Sequence, residues 1–190
     1  MTLIVAWRDP FCMVTDDLET SDVTRVKSSV GPKMAAIADS SLILGFAGPK
    51  EDYESIVEQV SKLPAADWDT FEMATRKIID DLNEDRSCKR QATVVVAGMI
   101  GGISGIFDSV GMPGIARTRK CAFAGSGGII ACAAKGLATR YCRDPDEAMG
   151  EELLRTIVEA GGQADEWSGK PIHRIDVDRL RNPYVWLPYE

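Results

Sequence analysis

The hydrophobic positions along this chain follow two different periods. Short apolar runs rich in β-branched residues predict strands, and apolar residues that recur every third or fourth position predict helices. The predicted strands span residues 3–7, 11–15, 34–38, 42–47, 92–97, 103–107, 121–124 and 172–177. The predicted helices span residues 50–63, 67–85, 125–141 and 144 to about 160.

The order of these elements is strands, two helices, strands, two helices and a final strand. Each amphipathic helix has to cover a sheet, so this order favours two antiparallel sheets packed face to face between two helix layers. We therefore expect an α+β chain, a four-layer αββα sandwich formed by a single domain over residues 1–190, which is an ordinary domain length.

Several local features complete this prediction. The turn Arg8-Asp9-Pro10 joins the first two strands, and the polar stretch after Thr15 predicts a loop. Asp67 is suited to the N-cap of the second helix. We expect residues 178–190 to form an irregular aromatic tail that packs on its own domain or on a neighbouring subunit.

Charge narrows the classes of partner. The chain has 22 Lys and Arg against 29 Asp and Glu, a net charge of −7, which argues against general affinity for nucleic acid or an anionic membrane. Proteins are the expected partners. The first apolar run stops at Arg8, far short of a signal-peptide core or a membrane span, and we expect a cytoplasmic protein.

Cysteine and histidine usage narrows the chemistry. The five cysteines form no C-x-x-C pair and leave one over, which favours reduced, mostly buried thiols over a disulfide framework. His173 is the only histidine, so a site that needs two histidine ligands is excluded within one chain. We expect neither a cofactor nor a metal.

Thr2 and Lys33 are the first candidates for catalysis. A threonine hydroxyl is a poor nucleophile unless a base lies beside it, and a free α-amine with a pKa of roughly 7.7–8.0 can take its proton. Removal of Met1 would supply that amine at Thr2. The positive charge of Lys33 would favour the deprotonated hydroxyl and amine, although many chains begin Met-Thr by chance and most lysines are solvated.

Two acidic residues and two turns could complete such a site. Asp16 and Asp17 end the second predicted strand, and either could hold Lys33 by a charge-assisted hydrogen bond. The turn 125–128, Gly-Ser-Gly-Gly, could cradle a phosphate, or it could be a tight strand-to-helix turn that brings Ser126 close to another group. Residues 165–169 have the composition of an ordinary turn.

Taken together, these motifs resemble the proteasome β-subunit family, in particular the bacterial heat-shock peptidase that works with an ATP-driven unfoldase. The matching motifs are the opening Thr2 to Arg8, Lys33, Gly48 at the end of Gly45-Phe46-Ala47-Gly48, the turn Gly125 to Gly128, and Asp165-x-x-Ser168-Gly169. The chain departs from the family at Leu3, at Lys170 and by one residue missing before Asp16.

The resemblance implies an N-terminal nucleophile hydrolase of the αββα type. In the implied mechanism Thr2 attacks a peptide carbonyl, the Gly48 N–H stabilises the oxyanion, and water cleaves the resulting ester. Lys33 tunes the electric field, and alignment to the family's strand-ending Asp makes Asp16 its partner. The residues implied to position the amine and the water are Ser126, Asp165 and Ser168. The small Ala35 near the lysine would leave an open apolar specificity pocket.

The family also implies stacked rings that enclose the Thr2 sites, unfolded protein substrates and an ATP-dependent unfoldase; six-fold and seven-fold rings are both open. Three alternatives remain. The chain could be a silent ring subunit that keeps Met1, or an N-terminal nucleophile amidohydrolase acting on a small amide. A serine hydrolase would have to use His173, although the chain contains no G-x-S-x-G.

Overall fold

The structure is a computed structural model of the chain. The residues that it describes are 2–16, 18–20, 27–29, 33–37, 41–84, 91–141, 150–164, 171–177 and 183–188. The strands are β1 Ile4–Arg8, β2 Phe11–Asp16, β3 Leu18–Thr20, β4 Lys27–Ser29, β5 Met34–Ile37, β6 Ser41–Ala47, β7 Thr93–Ile100, β8 Ile103–Asp108, β9 Cys121–Ala124, β10 Ile172–Asp176 and β11 Tyr184–Leu187. The helices are α1 Lys50–Ser61, α2 Trp68–Glu84, α3 Gly125–Tyr141 and α4 Glu151–Ala164.

Two antiparallel sheets form the centre of the molecule. One has the order β11-β10-β2-β1-β9 and the other β5-β6-β7-β8. Strands β3 and β4 form a separate two-stranded ribbon. Strands that follow one another directly in sequence form hairpins, β1 with β2, β5 with β6, β7 with β8 and β10 with β11. Strand β6 also pairs with β7, across the two helices that separate them in sequence.

Three hydrophobic clusters fill the three spaces between four layers. The first packs α1 and α2 against the four-stranded sheet, the second lies between the two sheets, and the third packs α4 and part of α3 against the five-stranded sheet. Residues 3–7 contribute to two of these clusters, because successive side chains of a strand point to opposite faces of the sheet. Leu3, Val5 and Trp7 enter the helix-side cluster, whereas Ile4 and Ala6 enter the space between the sheets. The prediction of an αββα sandwich is confirmed.

Helix α2 starts where the sequence places its cap. The Asp67 carboxylate accepts hydrogen bonds from the backbone N–H of Thr70 at 2.8 Å and from its hydroxyl at 2.8 Å. This satisfies an N–H that has no partner within the helix. The inward face of α2 then buries Phe71 and Ile79 in the cluster that it shares with α1.

Two features differ from the sequence prediction, the loop after Thr15 and the irregular tail. The stretch after Thr15, expected to be a loop, contains the β3–β4 ribbon. Strand β9, for which the sequence predicts no partner, pairs with β1. Residues 184–187, expected in an irregular tail, form a strand on β10, where Leu187 is buried in the chain's own core. Helix α4 begins at Glu151 among the described residues, and the expected start at 144 lies outside them.

In the described part of the chain, no helix is both long and apolar enough to cross a bilayer.

Candidate active site

The antiparallel pairing of β1 with β2 places Asp16 beside the N-terminal residues. Ile4 is opposite Thr15, and the ladder continues one step further. The Asp16 N–H donates to the Leu3 carbonyl at 3.2 Å, and the Leu3 N–H donates to Asp16 Oδ1 at 3.1 Å. Asp16 has no solvent exposure and Thr2 is 4 % exposed. A buried carboxylate is thereby fixed one residue from Thr2.

Lys33 reaches the same point from the other sheet. It directly precedes β5, and its carbonyl accepts a hydrogen bond from the Phe46 N–H at 2.9 Å. The Lys33 ammonium lies 2.7 Å from Thr2 Oγ1 and 3.7 Å from Asp16 Oδ1. The structure therefore brings together a hydroxyl before β1, a carboxylate at the end of β2 and a cation before β5.

The hydrogen-bond directions at Thr2 have a chemical consequence. An ammonium has donors only, so Thr2 Oγ1 accepts from Lys33 and its own proton points elsewhere. A cation at this distance favours the alkoxide over the alcohol. Asp16 Oδ1 lies 3.7 Å from the same cation and also accepts the Leu3 N–H. The arrangement lowers the cost of removing the Thr2 proton.

The strand-to-helix turn at Gly125 also contacts Thr2. Strand β9 ends at Ala124, opposite Ile4, and Gly125 begins α3 with a φ of +77°, a conformation that side chains disfavour. A Cβ at Gly125 would lie 1.9 Å from the Thr2 carbonyl oxygen. Only glycine allows this turn to abut Thr2. Ser126 follows it as the second residue of α3 and is half-buried.

Gly48 directly follows β6. Because β6 runs antiparallel to β5, the C-terminal end of β6 lies beside the N-terminal end of β5, which Lys33 directly precedes. Gly48 is exposed. A Cβ there would lie 2.7 Å from the Phe46 ring and 3.1 Å from the Ala92 Cα, so a side chain would force its neighbours to move.

Other sequence candidates lie apart from this cluster or outside the described residues. Asp165, Ser168 and Asp17 fall outside the described residues, as does Met1. His173 lies in β10 opposite Thr15 and is half-buried.

The specificity-pocket candidate, Ala35, is half-buried in β5 opposite Leu44. The described residues contain no group of three or more His, Cys, Asp or Glu arranged to hold a metal.

The described cysteines do not compete with Thr2 as nucleophiles of this site. Cys12, Cys121 and Cys132 carry no disulfide. Burial raises the pKa of the Cys12 thiol to about 12 and also raises the pKa of Cys121, and it is the thiolate that reacts. Cys132 lies exposed in α3, against the expectation of mostly buried thiols.

Sequence reasoning missed two contributors. Leu3 takes part through its backbone, whose N–H and carbonyl both bind Asp16. Gly125 takes part by its contact with the Thr2 carbonyl. The strand-ending position of Asp16 and the glycine at a strand-to-helix turn were the available signals, but the contact partners depend on how β1, β2 and β9 pair.

Comparisons with known proteins agree with this architecture. No family model and no curated protein matches the sequence. Among solved structures, eukaryotic HslV from Trypanosoma brucei superposes with a TM-score of 0.60 at 20 % identity, over 91 % of this chain and 97 % of that chain. BPH of Thiobacillus denitrificans in complex with epoxomicin gives a TM-score of 0.61 at 17 % identity, over 92 % and 97 %.

BPH of Thiobacillus denitrificans in a second structure gives a TM-score of 0.60 at 18 % identity, over 92 % of this chain and 96 % of that chain. These likenesses extend along nearly the whole of both chains, so they concern the complete sandwich and not one hairpin or helix pair. The chain therefore has the fold of HslV and the proteasome β-subunits, as its sequence motifs implied.

Proposed function

We propose that this chain is an N-terminal threonine peptidase, with Thr2 as the nucleophile after removal of Met1. The single observation that carries the proposal is the 2.7 Å hydrogen bond from the Lys33 ammonium to Thr2 Oγ1. Oδ1 of the fully buried Asp16 lies 3.7 Å from the Lys33 ammonium nitrogen. A lysine that only stabilised the fold would have no reason to direct its donor at a strand-end hydroxyl.

Each residue has one task in the proposed reaction. The freed α-amine of Thr2 takes the hydroxyl proton, and Oγ1 attacks the substrate carbonyl while Lys33 stabilises the developing negative charge. The Gly48 N–H donates to the oxyanion. The proton passes to the leaving amine, an ester forms on Thr2, and water activated by the same α-amine hydrolyses it.

The remaining residues orient these groups. Asp16 holds Lys33 through opposite charge, and Ser126, Asp165 and Ser168 position the α-amine and the water. Ala35 leaves room for an apolar substrate side chain. These assignments rest on the sequence motifs, and for Asp16 also on its distance to Lys33.

The proposed setting is a self-compartmentalised protease in the cytoplasm. Copies of the chain form stacked rings with Thr2 facing an inner chamber, and an ATP-dependent unfoldase supplies unfolded protein. The proteasome-type fold supports this assembly, and the net charge of −7 supports protein over nucleic acid or membrane partners.

Intact-mass measurement and peptide hydrolysis test the proposal together. The purified protein should lack the mass of one Met residue and hydrolyse an unfolded protein, and Thr2→Ala should stop hydrolysis without changing the circular dichroism spectrum. His173→Ala is the matched control and should stay active. Retained Met1 with no hydrolysis would instead identify a silent subunit, and cleavage of small amides alone would identify an amidohydrolase. Activity that survives Thr2→Ala but not His173→Ala would establish the serine hydrolase.

A further inference from the structure

Helix α4 contacts the nucleophile's surroundings through a glycine. Gly161 is buried in α4. A Cβ at this position would lie 2.6 Å from the Gly127 carbonyl oxygen and 3.1 Å from Leu3 Cδ1. A Cβ closer than about 3 Å forces a neighbour to move, and here that neighbour is backbone. The backbone of α4 therefore rests directly on both the residue after Thr2 and the turn that begins α3.

We infer that Gly161 is a positioning residue for Thr2, and that α4 fixes the position of Thr2 through its contacts with Gly127 and Leu3. The inference rests on the proposed function, since it assigns to Gly161 an effect on the reaction of Thr2. Neither the resemblance nor the mechanism above uses this glycine or this helix.

The contacts on the other side of the α3 turn complete the connection. The turn touches Thr2 through Gly125, where a Cβ would lie 1.9 Å from the Thr2 carbonyl oxygen. It approaches β1 again at Gly128, where a Cβ would lie 3.3 Å from the Ile4 carbonyl oxygen. The turn is thus held between α4 and residues 2–4 with main chain against main chain. Close-packed groups transmit displacement because they have no free volume to absorb it.

The expected displacement is small but acts on the reacting atom. A methyl group at 161 pushes the Gly127 carbonyl and Leu3 by some tenths of an ångström. Leu3 is bonded to Thr2, and Gly127 lies two residues after Gly125, which contacts the Thr2 carbonyl. The hydrogen bond from Lys33 to Thr2 Oγ1 is short, at 2.7 Å. A shift of the Thr2 backbone therefore changes the distance and angle between the hydroxyl and the Lys33 ammonium. Misplacement by about 1 Å costs on the order of 10²-fold in rate.

Gly136 provides a matched control within α3. It is also a helix glycine, but a Cβ there meets nothing within 4 Å. Substitution of either glycine by alanine adds one methyl group and removes the same backbone freedom from the unfolded chain. The two variants differ in whether that methyl group meets the support of Thr2.

The test compares steady-state peptide hydrolysis by wild type, Gly161→Ala and Gly136→Ala, with Tm measured for each. We expect kcat of Gly161→Ala to fall by about 3- to 10-fold, less than the roughly 10²-fold cost of a full 1 Å misplacement, with KM within about two-fold, because alignment and not substrate binding is lost. Gly136→Ala should keep both constants. A purely structural Gly161 would lower Tm but leave kcat per folded molecule unchanged.

The outcomes separate the inference from the proposed function. If wild type lacking Met1 hydrolyses no peptide, the proposed function fails and the inference with it. If wild type is active and folded Gly161→Ala keeps its kcat, only the inference is overturned. Should Gly161→Ala not fold, Leu3→Val withdraws the Cδ1 atom that faces Gly161 without adding atoms. A lower kcat at unchanged KM in Leu3→Val supports the inference, and an unchanged kcat overturns it.

Discussion

Among the buried carboxylates of the described residues, Glu72 and Asp16 each face a cation, and they are held in different ways. Glu72 in α2 is 1 % exposed, and Arg76 one turn later binds its Oε1 through Nε at 2.9 Å and Nη2 at 2.6 Å. The other Glu72 oxygen accepts the Gly114 N–H at 3.2 Å, and Arg76 donates to the Ser109 carbonyl at 2.8 Å. Both members of this pair bind each other and the loop between β8 and β9.

The Asp16–Lys33 pair is longer, at 3.7 Å. Its cation makes a hydrogen bond of 2.7 Å to the Thr2 hydroxyl. In the Glu72 pair, two Arg76 donors bind the same carboxylate oxygen, and the remaining groups of both residues bind backbone, which fixes a loop. In the Asp16 pair the cation is directed at a potential nucleophile. The direction in which the cation donates, more than the burial of the ion pair, therefore distinguishes a pair suited to catalysis from a pair that only stabilises the fold.

The largest effect should follow removal of the directed cation. Lys33→Met keeps most of the side-chain length but removes the charge next to Thr2. We expect kcat to fall about 10²–10³-fold, the size of the loss of one preorganised charge-stabilising donor, because the negative charge that develops on Thr2 Oγ1 loses its stabilisation. Hydrolysis by equal amounts of folded protein measures this. Lys77→Met is the control, since Lys77 pairs with exposed Asp81. A kcat of Lys33→Met within three-fold of the wild-type value would contradict a catalytic role for the Lys33 charge.

Removal of the structural cation should affect stability instead. Arg76→Met leaves Glu72 buried without its cation, which lowers the free energy of unfolding by about 3–5 kcal/mol. Activity per folded molecule should not change. Chemical denaturation measures the first and hydrolysis the second. Arg117→Met breaks an exposed pair with Asp69 and should cost less than about 1 kcal/mol; equal losses in the two variants would remove the distinction that burial makes.

A smaller effect is expected from neutralising Asp16. Asp16→Asn keeps an oxygen that can accept the Leu3 N–H but removes the negative charge opposite Lys33. We expect kcat to fall roughly ten-fold, since the loss of one charge contact of about 1.4 kcal/mol changes a rate ten-fold. Asp81→Asn, at the exposed pair, is the matched control in the same hydrolysis assay. An unchanged kcat in Asp16→Asn would show that Lys33 is oriented without it.

The smallest effect concerns an acid that is exposed in the fold. Hydrogen bonds from the Thr70 backbone and hydroxyl lower the pKa of Asp67. A carboxyl whose pKa is lower in the folded state stabilises above its unfolded value, near 3.9, and loses that contribution as pH falls through the folded value. Asp67→Ala should therefore lower Tm slightly at pH 7, and the difference from wild type should shrink below about pH 4. A difference that grows on acidification would refute this cap.

Local sequence patterns were sufficient to predict most of the fold. The β1–β2 hairpin, helix α1 and the Asp67 cap depend on neighbours in sequence, so periodicity and cap chemistry predicted them. The pairing of β9 with β1 was not predictable, because it depends on which sheet edge remains open after the other strands have paired. The β3–β4 ribbon is polar and lacks an apolar pattern.

The candidate site divides in the same way. Thr2, Lys33 and Asp16 were predicted as candidates because N-terminal threonine catalysis requires those residue types and motif resemblance supplied their spacing, and the structure brings the three side chains together. Gly161 gave no signal in the sequence. A glycine inside a helical pattern is ambiguous, and its meaning comes only from contacts with Gly127 and Leu3, which are distant in sequence.

The central claim is that the hydroxyl and freed amine of Thr2 act together, and covalent labelling tests it most directly. A peptide epoxyketone can bond to a threonine hydroxyl and then to the α-amine of the same residue. Wild type lacking Met1 should form one adduct per chain, located by tandem mass spectrometry on both Oγ1 and the nitrogen of Thr2, and Lys33→Met should form it far more slowly. An adduct at any other residue, or none in protein shown to begin at Thr2, would contradict the account.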